Sequence, residues 1–123
     1  LLNQCQGDTA QIAQRLDLRP VEAPPSLQPA LWSELREAAG TDVTFGAHSV
    51  SHRNLAALTD AEIDNELQPN IDDIEGELGR RPIAVAYPYG SWSPRVAARA
   101  EALGLQLGFT LDARDVAAST SPL

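Results

Sequence analysis

Val43-Thr44-Phe45-Gly46-Ala47-His48-Ser49-Val50-Ser51-His52 runs from an extended apolar stretch into a segment that holds both histidines of the chain. Alternation over Val43 to Ala47 predicts a β-strand with Val43, Phe45 and Ala47 facing the core. The histidines stand four positions apart, about one helical turn, so in a turn or short helix both imidazoles point the same way. Two neutral imidazoles on one face are half of a tetrahedral or octahedral metal site. The bare spacing is also what a surface or packing coincidence gives. Position favours chemistry, because open α/β sheets and barrels place their sites at the C-terminal ends of strands. A second loop of this kind, Ala86-Tyr87-Pro88-Tyr89-Gly90, ends the next expected strand.

Outward from this stretch, the pattern alternates between helix and strand. Downstream, Thr59-Asp60-Ala61-Glu62 is an N-cap with its capping-box Glu. The face Ile63, Leu67, Ile71, Ile74 and Leu78 follows helical spacing to Gly79. Pro69 removes the bond to the Asn65 carbonyl, and the apolar face continues in phase beyond it, so one kinked helix is predicted. The acids Asp60, Glu62, Asp64, Glu66, Asp72, Asp73, Glu75 and Glu77 read as a solvated helix face with nothing cationic nearby in sequence. Arg80-Arg81-Pro82 ends the helix, and Ile83 to Ala86 reads as a buried parallel strand. Ser93-Pro94 caps another helix with Val96, Ala100 and Leu103 on one face and Gly104 closing it. Leu105 to Phe109 is the third expected strand.

Upstream, Asp8 is an N-cap with Gln11 reaching back as in a capping box, and Ile12 and Leu16 share a face. Arg19 to Pro29 carries four prolines and reads as a connector. A helix from about Pro29 or Ala30 to Ala39 follows, with Leu31 and Leu35 inward and Gly40 as its C′ stop. Thr41-Asp42 then turns into the first strand. The fold class is α/β, with parallel strands alternating with helices. Residues 1–30 read as a helical segment and Pro-rich connector without a motif, and residues 31–123 as the main domain. Asp112 to Leu123 drifts into small polar residues. There is neither an internal repeat nor a low-complexity tract.

Composition narrows the function. At 123 residues and 43% hydrophobic, the chain can bury one core. Nine Arg, no Lys and seventeen acids give a net charge of −8, which argues against nucleic acid or another polyanion as partner. The lone Cys5 excludes an internal disulfide. No signal peptide or membrane-length apolar run appears. A chain with no Met is expected to be processed or cut from something longer, and both ends look cut.

The order of the motifs is specific. A strand entering GAHSVSH, a capped helix, a strand entering AYPYG, a Gly-ended helix and a further strand resemble the NodB-homology polysaccharide deacetylases (carbohydrate esterase family 4) from about Leu31 to Leu111. The resemblance implies a distorted (β/α) barrel and metal-assisted hydrolysis of an acetyl group from an N-acetylated or O-acetylated carbohydrate. It implies His48 and His52 as ligands of a divalent metal, zinc first and cobalt, nickel or manganese after it. Tyr89 would offer its backbone N–H to the oxyanion, and Pro88, Tyr89, Gly90 and Trp92 would line the substrate groove. Trp92 stacks on a sugar ring or lids the core, and Tyr87 packs at a strand end. Ser49 and Ser51 hold the turn through backbone bonds. Both rings are expected to face a common point, with one imidazole handing its other nitrogen to a carbonyl or carboxylate. The implied partner is an acetylated polysaccharide or amino sugar, and uncovered sheet edges imply self-association. The compartment is unknown: family members are often in the cell envelope or secreted, and some are cytoplasmic.

The departures are as specific. The family opens with a T-F-D-D-G motif whose two Asp residues supply the general base and complete the metal site, and nothing like it precedes His48. The Arg that many members carry two residues before the motif's Pro is Ala86. The late segment that supplies the general-acid His would lie beyond Leu123. The chain is thus expected to be an internal fragment, inactive alone. The alternative is a non-catalytic remnant or carbohydrate-binding module of the same fold.

Overall fold

The computed structural model describes residues 5, 8–19, 21–22, 24–40 and 42–112. Pro20 of the expected connector, Thr41 of the expected turn and the tail past Asp112 lie outside the described residues.

Helix α3 (Asp60–Leu78) is the element on which the others pack. Its start is fixed as its sequence dictates. The Thr59 hydroxyl accepts the Glu62 N–H at 3.4 Å, and the Glu62 carboxylate accepts the Thr59 N–H at 2.9 Å. Gly79 ends the helix in the left-handed region at φ 67°, where a residue without Cβ is unstrained. The helix runs through Pro69 as one element. Pro69 lies on the exposed side, so its ring costs no packing. Ile63, Leu67 and Ile71 are fully buried, and Ile74 nearly so, against Leu55, Leu58, Val85, Tyr87, Val96, Ala100 and Leu105. Among the described residues, no helix is long and apolar enough to cross a membrane.

The acids of α3 are not the unpartnered solvated face expected. Helix α4 (Pro94–Ala102) brings Arg95 to Asp60 at 2.6 Å, while the Arg99 guanidinium forks onto Asp64. Each pair is four residues apart on its own helix, so the two rows match in period. The Asp64 carboxylate beside Arg99 pushes the guanidinium above its ordinary value. Arg53 reaches Glu62 at 3.3 Å and Arg81 reaches Glu75 at 2.6 Å. The cations come from other elements, which local charge patterning does not reveal. These partly exposed pairs set registry between helices more than stability.

Two shorter helices precede this layer. Helix α1 (Thr9–Arg15) starts at Asp8, whose carboxylate accepts the Gln11 N–H at 3.0 Å. The Gln11 side chain bonds the Asp8 carboxylate rather than the cap's own N–H. Leu16 is 53% exposed, so the expected apolar face does not close. Helix α2 (Trp32–Ala39) starts later than expected. Glu34 accepts the Leu31 N–H at 2.7 Å, making Leu31 the cap. A cap lies outside the helical face, and Leu31 is accordingly exposed rather than inward. Leu35 is half-buried. Gly40 ends the helix as its C-cap, one position before C′, in right-handed backbone at φ −73°. The end of α2 is latched to α3, where Arg36 donates to the Glu77 carbonyl at 2.8 Å and pairs with its carboxylate.

The sheet is parallel but small. Strands β1 (Ala84–Ala86) and β2 (Leu107–Phe109) pair Ala84 with Leu107, Val85 with Gly108 and Ala86 with Phe109. The expected strand Val43 to Ala47 contracts to one parallel bridge between Ala47 and Val85. The Ala47 N–H donates to the Ala84 carbonyl at 2.8 Å, and the Ala86 N–H donates to the Ala47 carbonyl at 2.9 Å. Val43 is left exposed and Phe45 half-buried, so only Ala47 of the three expected inward residues enters the core. The edge strand still reaches β1 at the one position that places His48.

Candidate functional site

Residues 48–52 form an irregular loop after Ala47, not a helical turn. Two non-glycine residues in it are left-handed, Ser49 at φ 67° and His52 at φ 57°. Such backbone costs on the order of 1–3 kcal/mol per residue and persists only where its surroundings over-determine it. Here α3 does so. The His48 N–H donates to the Asn70 side-chain oxygen at 2.9 Å. The Val50 N–H donates to the Glu66 carbonyl at 3.1 Å. The Ser51 N–H and hydroxyl donate to the two Glu66 carboxyl oxygens at 2.9 and 2.5 Å. Inside the loop, the His52 N–H donates to the Ser49 hydroxyl at 3.0 Å.

The loop turns the rings toward each other. The His48 and His52 centroids are 4.8 Å apart, with the planes at 70°. On the other side His52 meets the Tyr89 ring at 4.7 Å and 79°. His48 Nδ1 lies 2.7 Å from the Ala86 carbonyl oxygen. A carbonyl only accepts, so the ring donates from Nδ1 and keeps its Nε2 lone pair free in the neutral form.

The second loop supplies the opposing wall. Pro88–Gly90 is a single 3₁₀ turn directly after β1, with Pro88 buried. Tyr89 at φ 60° and Gly90 at φ 63° are both left-handed. A Cβ at position 90 would fall 2.6 Å from the Leu111 backbone nitrogen, so glycine is required there. The Gly90 and Ser91 N–H groups bond the Tyr87 and Pro88 carbonyls. The Tyr89 N–H is left out of the turn's own bonding. Trp92 is 42% exposed and does not seal the core. Tyr87 is buried, and burial raises the pKa of its phenol above the ordinary value. Its role is packing.

The structure therefore brings together His48, His52 and Tyr89, with Pro88 and Gly90 shaping the turn. No group of three His, Cys, Asp or Glu side chains suited to a metal occurs among the described residues. Sequence reasoning missed Glu66 and Asn70. The signal was present: positions 63, 66, 67, 70, 71 and 74 share one helical sector, which places both polar residues on the inward side of α3.

The sequence model of the polysaccharide deacetylase family matches residues 7–108. The chain belongs to the polysaccharide deacetylase family. A solved structure described as Streptococcus pyogenes deacetylase PplD in complex with acetate aligns with a TM-score of 0.65 at 24% identity. The alignment covers 70% of this chain and 38% of that one, so this polysaccharide deacetylase domain spans well under half the length of that relative. No curated protein matches the chain. The likeness establishes the fold as part of the deacetylase (β/α) barrel, with the paired histidines and the Pro88–Gly90 turn at the C-terminal ends of its strands.

Proposed function

We propose that this chain carries the histidine half of a metal-dependent carbohydrate deacetylase site. The observation that supports this reading most is the convergence of the His48, His52 and Tyr89 rings, with His52 and Tyr89 on left-handed backbone and His48 Nδ1 bound to the Ala86 carbonyl. That arrangement commits one imidazole nitrogen to the protein and leaves the other as a donor, as metal-binding histidines require.

The donor set fits a first-row divalent cation such as zinc in ligand type, with His48 and His52 as the residues that would hold it. A bound cation would supply Lewis-acid polarisation of the acetyl carbonyl and acidify a water near neutral pH. The chain's own residues do the rest. Tyr89 would offer its backbone N–H to the oxygen that gains charge as the carbonyl is attacked. Pro88 and Gly90 hold that N–H by fixing the turn. Trp92 and the Tyr89 ring offer apolar faces to a sugar.

The T-F-D-D-G motif, the expected source of the general base, does not occur in this sequence. The whole-site activity therefore requires further residues, and the chain alone is expected to turn over no acetylated amino sugar at a useful rate. One observation favours the second reading, a carbohydrate-binding remnant: the absence of a third ligand among the described residues. The test is calorimetric zinc and cobalt titration of the full chain and of His48→Ala and His52→Ala, beside acetate release from an N-acetylated chito-oligomer. Metal binding abolished by either substitution supports the first reading. Sugar binding without metal binding selects the second. Robust turnover by the chain alone would show that an acid within it serves as base.

A further inference from the structure

We propose that Glu66 is a positioning residue for the histidine pair, an assignment that rests on the reading of His48 and His52 as the working groups. Glu66 lies on α3, outside the His48–His52 loop, and is 7% exposed. It takes three donors from two consecutive loop residues. Its carbonyl accepts the Val50 N–H, and its two carboxyl oxygens accept the Ser51 N–H and the Ser51 hydroxyl. Val50 and Ser51 are the residues between the two left-handed positions, Ser49 and His52.

That placement gives Glu66 its leverage. A five-residue loop with two non-glycine residues at positive φ relaxes toward ordinary backbone unless its middle is held. The hold must come from acceptors, because the loop's middle offers N–H and O–H donors. An ionisable side chain at this depth is uncommon unless its oxygens are satisfied, and both Glu66 oxygens are satisfied by one loop residue. When Ser51 is held, His52 keeps φ 57° and its ring stays between His48 and Tyr89. Without that hold, His52 can return to negative φ, which carries its imidazole away from His48. His48 is held separately, by Asn70 and the Ala86 carbonyl. Glu66 therefore governs one ring of the pair and not the other.

The test is NMR on the full chain without metal, reading the nuclear Overhauser effect between the His48 and His52 ring protons. Glu66→Met keeps the side-chain length and removes both side-chain acceptors, whereas Glu66→Gln keeps an acceptor and a group that can bond the Ser51 hydroxyl. The wild type and Glu66→Gln are expected to show the ring-to-ring effect and Glu66→Met to lose it, with the His48 Nδ1 signal unchanged in all three. Retention of the effect in Glu66→Met, or its absence from the wild type, overturns the proposal. Should Glu66→Met fail to fold, Ser51→Ala carries the test: a weakened effect supports the hold and an unchanged one overturns it. A parallel zinc titration separates this from the functional reading. Glu66→Met should lose about tenfold or more in affinity, the scale of outer partners at metal sites. A wild type that shows the ring contact but binds no metal refutes the metal reading while the ring data still decide the role of Glu66.

Discussion

His48 Nδ1 lies 2.7 Å from the carbonyl oxygen of Ala86. Ala86 is the last residue of β1, and its N–H is in turn bound to the Ala47 carbonyl at 2.9 Å. The ring is thus tied to the same backbone rung that joins the edge strand to the sheet. The expected outcome is a single tautomer in the neutral state, with the proton on Nδ1 and a bare Nε2. Nitrogen-15 chemical shifts of the imidazole report this directly. A neutral His48 with its proton on Nε2 would break the assignment of that nitrogen as a donor to metal.

A two-imidazole site without a carboxylate should be weak and poorly selective by geometry. Affinity is then expected to follow the intrinsic order for divalent ions, copper above zinc and nickel, and manganese weakest. Titration of the full chain with each ion checks the order, and a chelator should reverse every complex. Manganese binding comparable to copper would point to oxygen ligands in place of the histidines.

The helices of this domain were legible because their signals are local. Thr59 and Glu62 are three residues apart and form the capping box that their identities require. Ser93 and Pro94 open α4 in the same way. The edge strand was less legible, because its length depends on whether a distant segment can supply rungs. Among the described residues the pairing stops at the Ala47–Val85 bridge, and no pattern within residues 43–47 reveals that. The site was half legible. The spacing of His48 and His52 pointed to a shared face, yet the rings meet through left-handed backbone at Ser49 and His52 rather than through a helical turn. Glu66 and Asn70 were hidden among the many acids and amides of α3, where charge counts outweighed position on the helical wheel.

Burial separates two apolar residues that the sequence treats alike. Ile71 is fully buried in the α3 layer, and Leu31 is 67% exposed as the cap of α2. Ile71→Ala should cost about 2–5 kcal/mol through lost transfer energy and a cavity. Leu31→Ala should stay within about 0.5 kcal/mol. Urea unfolding of both variants checks this. Equal losses would mean that Leu31 is covered in solution.

Acid should loosen the start of α3 through Glu62. The Thr59 N–H, and after it the Thr59 hydroxyl, bond the Glu62 carboxylate and hold its pKa below the ordinary value of 4.5. The folded chain therefore releases this proton more readily than the unfolded chain. The resulting stability is fully present above the ordinary Glu value and is lost as the pH falls through the lowered one. Glu62→Gln preserves the shape and can keep the capping-box bond to the Thr59 N–H, but position 62 no longer titrates. Its unfolding midpoint should fall less steeply than the wild type's between neutral pH and the acid range below 4.5. Thr59→Ala acts from the other side. It removes the cap, costing about 1 kcal/mol at neutral pH, and returns Glu62 toward its ordinary value, which also flattens the acid limb. Asp8, likewise lowered by the Gln11 N–H, titrates in all three chains and cancels in the comparison. Thermal unfolding followed by circular dichroism across this range measures the slopes. Parallel acid limbs for the wild type and both variants would show that the Thr59–Glu62 bonds do not distinguish the folded chain from the unfolded one.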